Sequence, residues 1–197
     1  MEEITKPKII AVEGQDEMNF FNALLSNLQI TDVQVIPFEG KTNFQSRIKA
    51  IVNVPGFRNV KYFALIRDAD NLPPQSAFDS VKNSLSTAKL PFPMEINIFT
   101  NTVPAVGIFI MPGNAENGML EDLCLSSIKE YSVYQCIESF FECSDEQPDN
   151  ESKSKIQCYL STKNPLANSL GVGAKKGHWD FNSPVFDEIK DFLENMR

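Results

Sequence analysis

Three apolar runs, Lys8–Glu13, Asp32–Phe38 and Val60–Asp68, are separated by segments whose apolar residues recur at helical spacing. No other feature constrains the fold as much. Parallel strands cannot be joined by tight turns and need crossovers long enough to hold a helix. Strand, helix, strand, helix, strand therefore predicts an α/β, Rossmann-like, mostly parallel sheet flanked by helices. After the first run, Asp16 is placed to cap a helix with Met18, Phe20, Phe21, Leu24, Leu25 and Leu28 on one face. The second crossover turns Phe44, Ile48, Ile51 and Val52 inward, and an amphipathic helix spans Gln75 to Thr87.

The apolar stretches Met94–Thr100 and Ala105–Met111 are expected to add two strands to the same sheet. Pro112–Gly118 has loop composition, and an interrupted helical pattern runs from Met119 to about Cys143. Glu146–Lys155 and Gly171–Gly177 are read as loops on either side of a short helix, Lys155–Ser161. A last helix starts near Pro184, where proline suits the first turn. The expected organisation is an α/β domain over 1–130, with 131–197 as a helical C-terminal extension packed on it.

Composition narrows the function classes. The 197 residues, 42% hydrophobic and 22% charged, suit one ordinary globular unit. Acidic residues number 26 against 18 Lys plus Arg, so the net charge is −8 and a global basic footprint for nucleic acid is missing. The deficit is local, however: residues 112–151 carry 10 acidic side chains and 1 basic one. No apolar run approaches the roughly 18 residues of a membrane span, and the start lacks the basic and apolar regions of a signal peptide. A cytoplasmic protein without membrane contact is the expectation. Cys124, Cys136, Cys143 and Cys158 form no close ligand pair, so they are read as reduced, buried small hydrophobes rather than a zinc site. The single histidine, His178, lies in a loop-like context and is given a packing role.

The chemistry concentrates where strands end. Ligands of open α/β sheets bind beyond the carboxyl ends of the strands, near the point where strand order reverses. Glu13 leaves the first strand there, and Asp68 and Asp70 leave the third. Residues two apart on an extended chain share a face, so Asp68 and Asp70 are expected to point to one site. Neighbouring carboxylates repel unless a proton or cation intervenes, and hard oxygen donors suit Mg²⁺ or Mn²⁺. Glu121 and Asp122 open a further helix and are candidate additional ligands, although acids in a first turn also serve the helix dipole. Lys41, in a Gly-containing turn, and Lys175 with Lys176 are the candidate phosphate-binding cations. Arg67 falls on the opposite strand face from Asp68, which suits a structural ion pair.

Val12-Glu13-Gly14-Gln15-Asp16-Glu17 after one strand and Arg67-Asp68-Ala69-Asp70 after another resemble the Toprim fold of topoisomerases, bacterial primases and overcoming-lysogenisation-defect nucleases. Gly118–Leu123 and Lys175–Phe181 resemble stretches of small stand-alone Toprim-like proteins. The resemblance implies a Toprim-like domain doing Mg²⁺- or Mn²⁺-dependent nuclease or related phosphotransfer chemistry on DNA or RNA. Glu13 would act as general acid/base or as a metal ligand, Asp68 and Asp70 as metal ligands, and Glu121 would complete a second-metal site. The alternative it leaves open is a non-catalytic binding module, or a subunit working with a separate ATPase or other protein. Homo-oligomers stay open. No tyrosine nucleophile can be placed beside the acids, which sets the chain apart from a complete topoisomerase.

Overall fold

The structure is a computed structural model and describes residues 3–38 and 44–196. Four strands, β1 (Lys8–Val12), β2 (Val33–Pro37), β3 (Tyr62–Asp68) and β4 (Ala105–Met111), form one all-parallel sheet in the order β2-β1-β3-β4. Ile10 pairs with Val35 on one side and Ala64 on the other, while Ala64 also pairs with Gly107. The strands are buried on both faces, which is why they read as continuous apolar runs.

Period-two alternation sorts the strand residues into two cores. Ile10, Val12, Ala64, Ile66, Phe109 and Met111 face one layer; Ile9, Ala11, Phe63, Leu65, Ile108 and Ile110 face the other. Crossovers between parallel strands are right-handed, so the direction of travel along the sheet decides which face a helix covers. The chain moves one way from β1 to β2 and the opposite way through β3 to β4. Accordingly α1 (Gln15–Asn27) packs on the first face, and α2 (Phe44–Ile51) and α3 (Pro74–Thr87) pack on the second.

One helix cannot cover the first face of four strands, and the C-terminal third completes it. Here lie α4 (Leu120–Ser126), α5 (Ser132–Glu142), α6 (Glu151–Ser161), α7 (Leu170–Lys175) and α8 (Asp187–Glu194). Phe192 of α8 stacks on Phe99 at 4.9 Å and meets Phe109 of β4 at 5.4 Å. Phe181 and Phe186 close on Phe20 of α1 at 5.4 and 6.1 Å. Trp179, 3% exposed, stacks on Tyr159 and donates to the Leu170 carbonyl, and His178 Nε2 lies 2.8 Å from the Pro165 carbonyl.

Several local expectations are overturned. Met94–Thr100 is not a strand: Pro91 and Pro93 precede it, Asn97 is left-handed (φ 65°), and only Phe99 bridges Gly107, antiparallel. The segment instead covers the open edge of β4 through Asn97 N–H to Ile108 and Thr100 N–H to Val106. Residues 151–155, expected in a loop, begin α6 because Asn150 caps it by accepting from the Lys153 N–H at 2.9 Å. The Gly171–Gly177 stretch, also expected as loop, is largely α7, capped by Ser169. Asp16 does not cap its own helix, since Gly14 holds that position. Its carboxylate reaches across to α7, accepting from Ser169 Oγ at 2.5 Å and Gly171 N–H at 2.9 Å. All four cysteines are free, but only Cys124 is buried; Cys136 and Cys143 are exposed. Among the described residues no helix is long and apolar enough to cross a membrane.

The packing of α7 and α8 makes two stability predictions. A Cβ at Gly171 would stand 2.1 Å from the Asp16 carbonyl oxygen. Gly171→Ala therefore lowers the urea midpoint, although alanine alone would favour the helix by about 1 kcal/mol; a raised midpoint would contradict the packing. Phe192→Ala, which empties a fully buried ring site, costs about 3–5 kcal/mol in the same measurement.

Candidate functional site

The reversal of strand order between β1 and β3 opens a crevice beyond their carboxyl ends. Asp68 is the last residue of β3 and shares the parity of Ala64 and Ile66, so it faces α1 and α4. It is only 8% exposed, and its Oδ1 accepts the Leu120 N–H at the start of α4, 3.1 Å away. Glu13 follows β1 directly. Because Ala11 pairs with Leu65, continuing the register two residues brings Glu13 alongside Arg67 on the other face. Their Oε1 and Nε lie 3.7 Å apart, with both side chains largely buried. The alternation of the strand thus does separate Arg67 from Asp68.

Asp70 is placed differently from its sequence expectation. The extended chain ends at Asp68, and Asp70 is left-handed (φ 56°), its N–H donating to the Gly118 carbonyl at 2.9 Å. It lines a polar cleft of about 330 Å³ with Asn117, Asp149 and Glu151, a lining that does not include Asp68. Gly118, at φ 139°, is needed there, since a Cβ would meet the Asp122 carboxylate at 2.8 Å. Asp122 has a structural occupation: its oxygens accept from the Met119 N–H (2.7 Å) and Ser152 Oγ (2.5 Å), tying α4 to α6.

Glu121 turns into a second cleft of about 430 Å³, lined by Gln15 and Glu17 of α1, Glu121 of α4 and Lys153 of α6. Lys153 Nζ is 3.8 Å from Glu121. The sequence reading did not single out Glu17 or Lys153. Glu17 lies four residues after Glu13, in the first turn of α1, and the sequence already carries it next to the strand-end acid. Lys153 has no such signal, because only the α4–α6 packing brings it in.

Lys41 lies outside the described residues. Lys175 and Lys176 sit at the far end of α7 from Ser169 and Leu170, which border the 430 Å³ cleft; Lys176 Nζ donates to the Leu166 carbonyl. Among the described residues Lys153, rather than this pair, is the lysine lining the acidic cleft.

These carboxylates feel one another. Burial holds the Asp68 carboxyl well above the ordinary range, and the charges of Glu13, Glu121 and Glu17 push it further. Burial also raises Glu121, with Glu17 adding and Lys153 opposing. A cation would relieve this repulsion. Among the described residues no three Asp, Glu, Cys or His side chains already converge on one point. Mg²⁺ does not require that, since it is commonly held by one or two carboxylates, waters and a substrate phosphate. Carboxylate oxygens are the donors such an ion takes, and Asp68, Glu17 and Glu121 supply them on the α1 and α4 side of the sheet.

The Asp68 shift has a signed consequence without metal. Folding raises this group's proton affinity, so the native chain holds more protons than the unfolded one above the ordinary Asp value near 3.9. Stability then falls as pH rises through the interval up to the native value, and the loss persists above it. In EDTA, Asp68→Asn, which keeps an acceptor for Leu120, melts higher than wild type at neutral pH. The difference closes as pH drops below the ordinary carboxylate range; equal melting at every pH would contradict the burial argument.

The fold is similar to the C-terminal region of the Burkholderia pseudomallei OLD protein, with a TM-score of 0.52 at 15% identity, covering 98% of this chain and 100% of that one. It is also similar to the C-terminal region of the Xanthomonas campestris pv. campestris OLD protein, with a TM-score of 0.50 at 13% identity, covering 97% and 95%. At these identities the likeness establishes a Toprim-like α/β fold. No curated protein sequence matches significantly. The family described as "Protein of unknown function (DUF3226)" matches residues 7–197, nearly the whole chain, and the protein belongs to that family.

Proposed function

We propose that the chain is a Mg²⁺- or Mn²⁺-dependent phosphodiester-cleaving domain acting on nucleic acid. One arrangement carries the reading: Asp68 lies nearly buried at the β1/β3 reversal under the start of α4, where burial, and then the charges of Glu13, Glu121 and Glu17, disfavour its ionisation. Like charges gathered at the ligand-binding end of a parallel sheet fit a site that assembles around a cation.

A bound divalent ion would supply charge stabilisation of the phosphate and an activated water. Asp68 and Glu121, with Asp70 at the neighbouring cleft, would present the oxygen donors. Glu13 Oε1 would hold or release the proton in transit, with Arg67 stabilising its charged form. Lys153, held near Glu121 but 60% exposed, can swing to a phosphate oxygen. Asp122 would act by fixing the start of α4, whose Leu120 N–H orients Asp68.

A second reading has an observation of its own. Three of the acids are already engaged: Glu13 by Arg67, Asp68 by the Leu120 N–H and Glu121 by Lys153. That arrangement suits a non-catalytic Toprim-like module or a subunit completed by an ATPase or other partner.

Purified protein with Mn²⁺ or Mg²⁺ is expected to nick plasmid DNA or degrade RNA. Asp68→Ala should reduce the rate to background, and Glu13→Gln should lower it by about 10²–10⁴-fold, the usual size of an acid/base contribution. Absence of cleavage with either metal, together with unchanged metal binding in Asp68→Ala, would overturn the catalytic reading.

A further inference from the structure

On the opposite sheet face from Asp68, a cleft of about 470 Å³ opens between α2 and α3. Its floor is Arg67. The guanidinium lies over the Phe44 ring at 5.2 Å, Nη1 donates to Ser80 Oγ at 3.0 Å, and Nε faces Glu13 at 3.7 Å. These contacts fix the plane of the fork. A positioned guanidinium, with five N–H donors, is the side chain best suited to take two oxygens of one phosphate.

The α3 wall matches that use. Ser76, Ser80 and Asn83 recur at i, i+4 and i+7, so they form one stripe along the cleft, while Ala77, Phe78, Val81 and Leu85 face the core. Gln45 completes the polar rim. One carboxylate, Asp79, also lines the cleft; it accepts from Gln75 Nε2 at 3.0 Å and lies 3.9 Å from Lys82, which offsets its charge.

We propose that the α2–α3 cleft is a phosphate-binding subsite built on Arg67, with the Ser76, Ser80 and Asn83 side chains as neutral donors. It is separate from the carboxylate site and needs no metal. The two are nonetheless joined, because the guanidinium that would hold the phosphate also faces Glu13. A phosphate here would come from the backbone of a nucleic-acid strand or from a free nucleotide.

The test is amide chemical-shift mapping on the full chain in EDTA, with AMP and a short oligonucleotide lacking terminal phosphates as separate probes. The proposal expects shifts at Ser76, Ser80 and Asn83 and at the Arg67 side chain. Tighter binding of the oligonucleotide identifies a strand backbone; tighter binding of AMP identifies a nucleotide. Arg67→Lys keeps the charge but loses the fork and should weaken binding about tenfold, the size of a charged hydrogen bond. Ser80→Ala and Asn83→Ala lie on an exposed helix face, so the fold should persist in them, and each should weaken binding severalfold. Shifts confined to other regions, no shifts with either probe, or unchanged affinity in both α3 variants would overturn it. Metal-dependent cleavage that survives in Ser80→Ala with unaltered AMP and oligonucleotide affinity would sink this subsite while leaving the catalytic reading standing.

Discussion

Right-handed crossover is the constraint from which the rest of this structure follows. Because the chain reverses direction after β2, α1 alone lands on one face of the sheet and α2 and α3 on the other. A four-stranded sheet half-covered on one side would leave Phe109 and Met111 in water. The C-terminal helices resolve this by packing beside α1, so residues beyond 130 belong to the same core as β1. The reversal that creates the uncovered face also creates the crevice at the strand ends.

Site geometry follows from covering that crevice. Docking α4 on β3 places the Leu120 N–H on Asp68 and removes that carboxylate from solvent. α6 then follows through Ser152 and Asp122, bringing Lys153 to Glu121. The acidic residues are therefore crowded by the same packing that buries the sheet, and their mutual repulsion is a cost the fold carries. A binding site that would be neutralised by ligand accounts for keeping such a cost.

Much of this was legible in the chain because it is local or periodic. Strand identity, the parallel arrangement and the strand-end positions of Glu13 and Asp68 come from apolar runs and helical spacing. The Glu13–Arg67 pair needed register as well, which no single strand states. Met94–Thr100 misleads because its apolar content outweighs the prolines just before it, Pro91 and Pro93, and a left-handed Asn97. α7 was hidden by glycines whose reason is tertiary: Gly171 admits the Asp16 carbonyl, and no property of residues 171–177 alone shows it. Lys153 is illegible for the same reason, while Lys175 and Lys176 stand out by composition and lie at the end of α7 away from that cleft. Aligning Asp70 with Asp68 assumes an extended chain, which ends two residues before Asp70.

The central claim is that the carboxylates at the β1/β3 reversal hold a divalent cation. Anomalous scattering from a crystal soaked in Mn²⁺ tests it directly. The account predicts a peak within ligating distance of Asp68 and at least one of Glu13, Glu17 and Glu121, with the Glu121–Lys153 contact loosened. A fully soaked crystal with no peak there, or with manganese only at surface acids elsewhere, would contradict it.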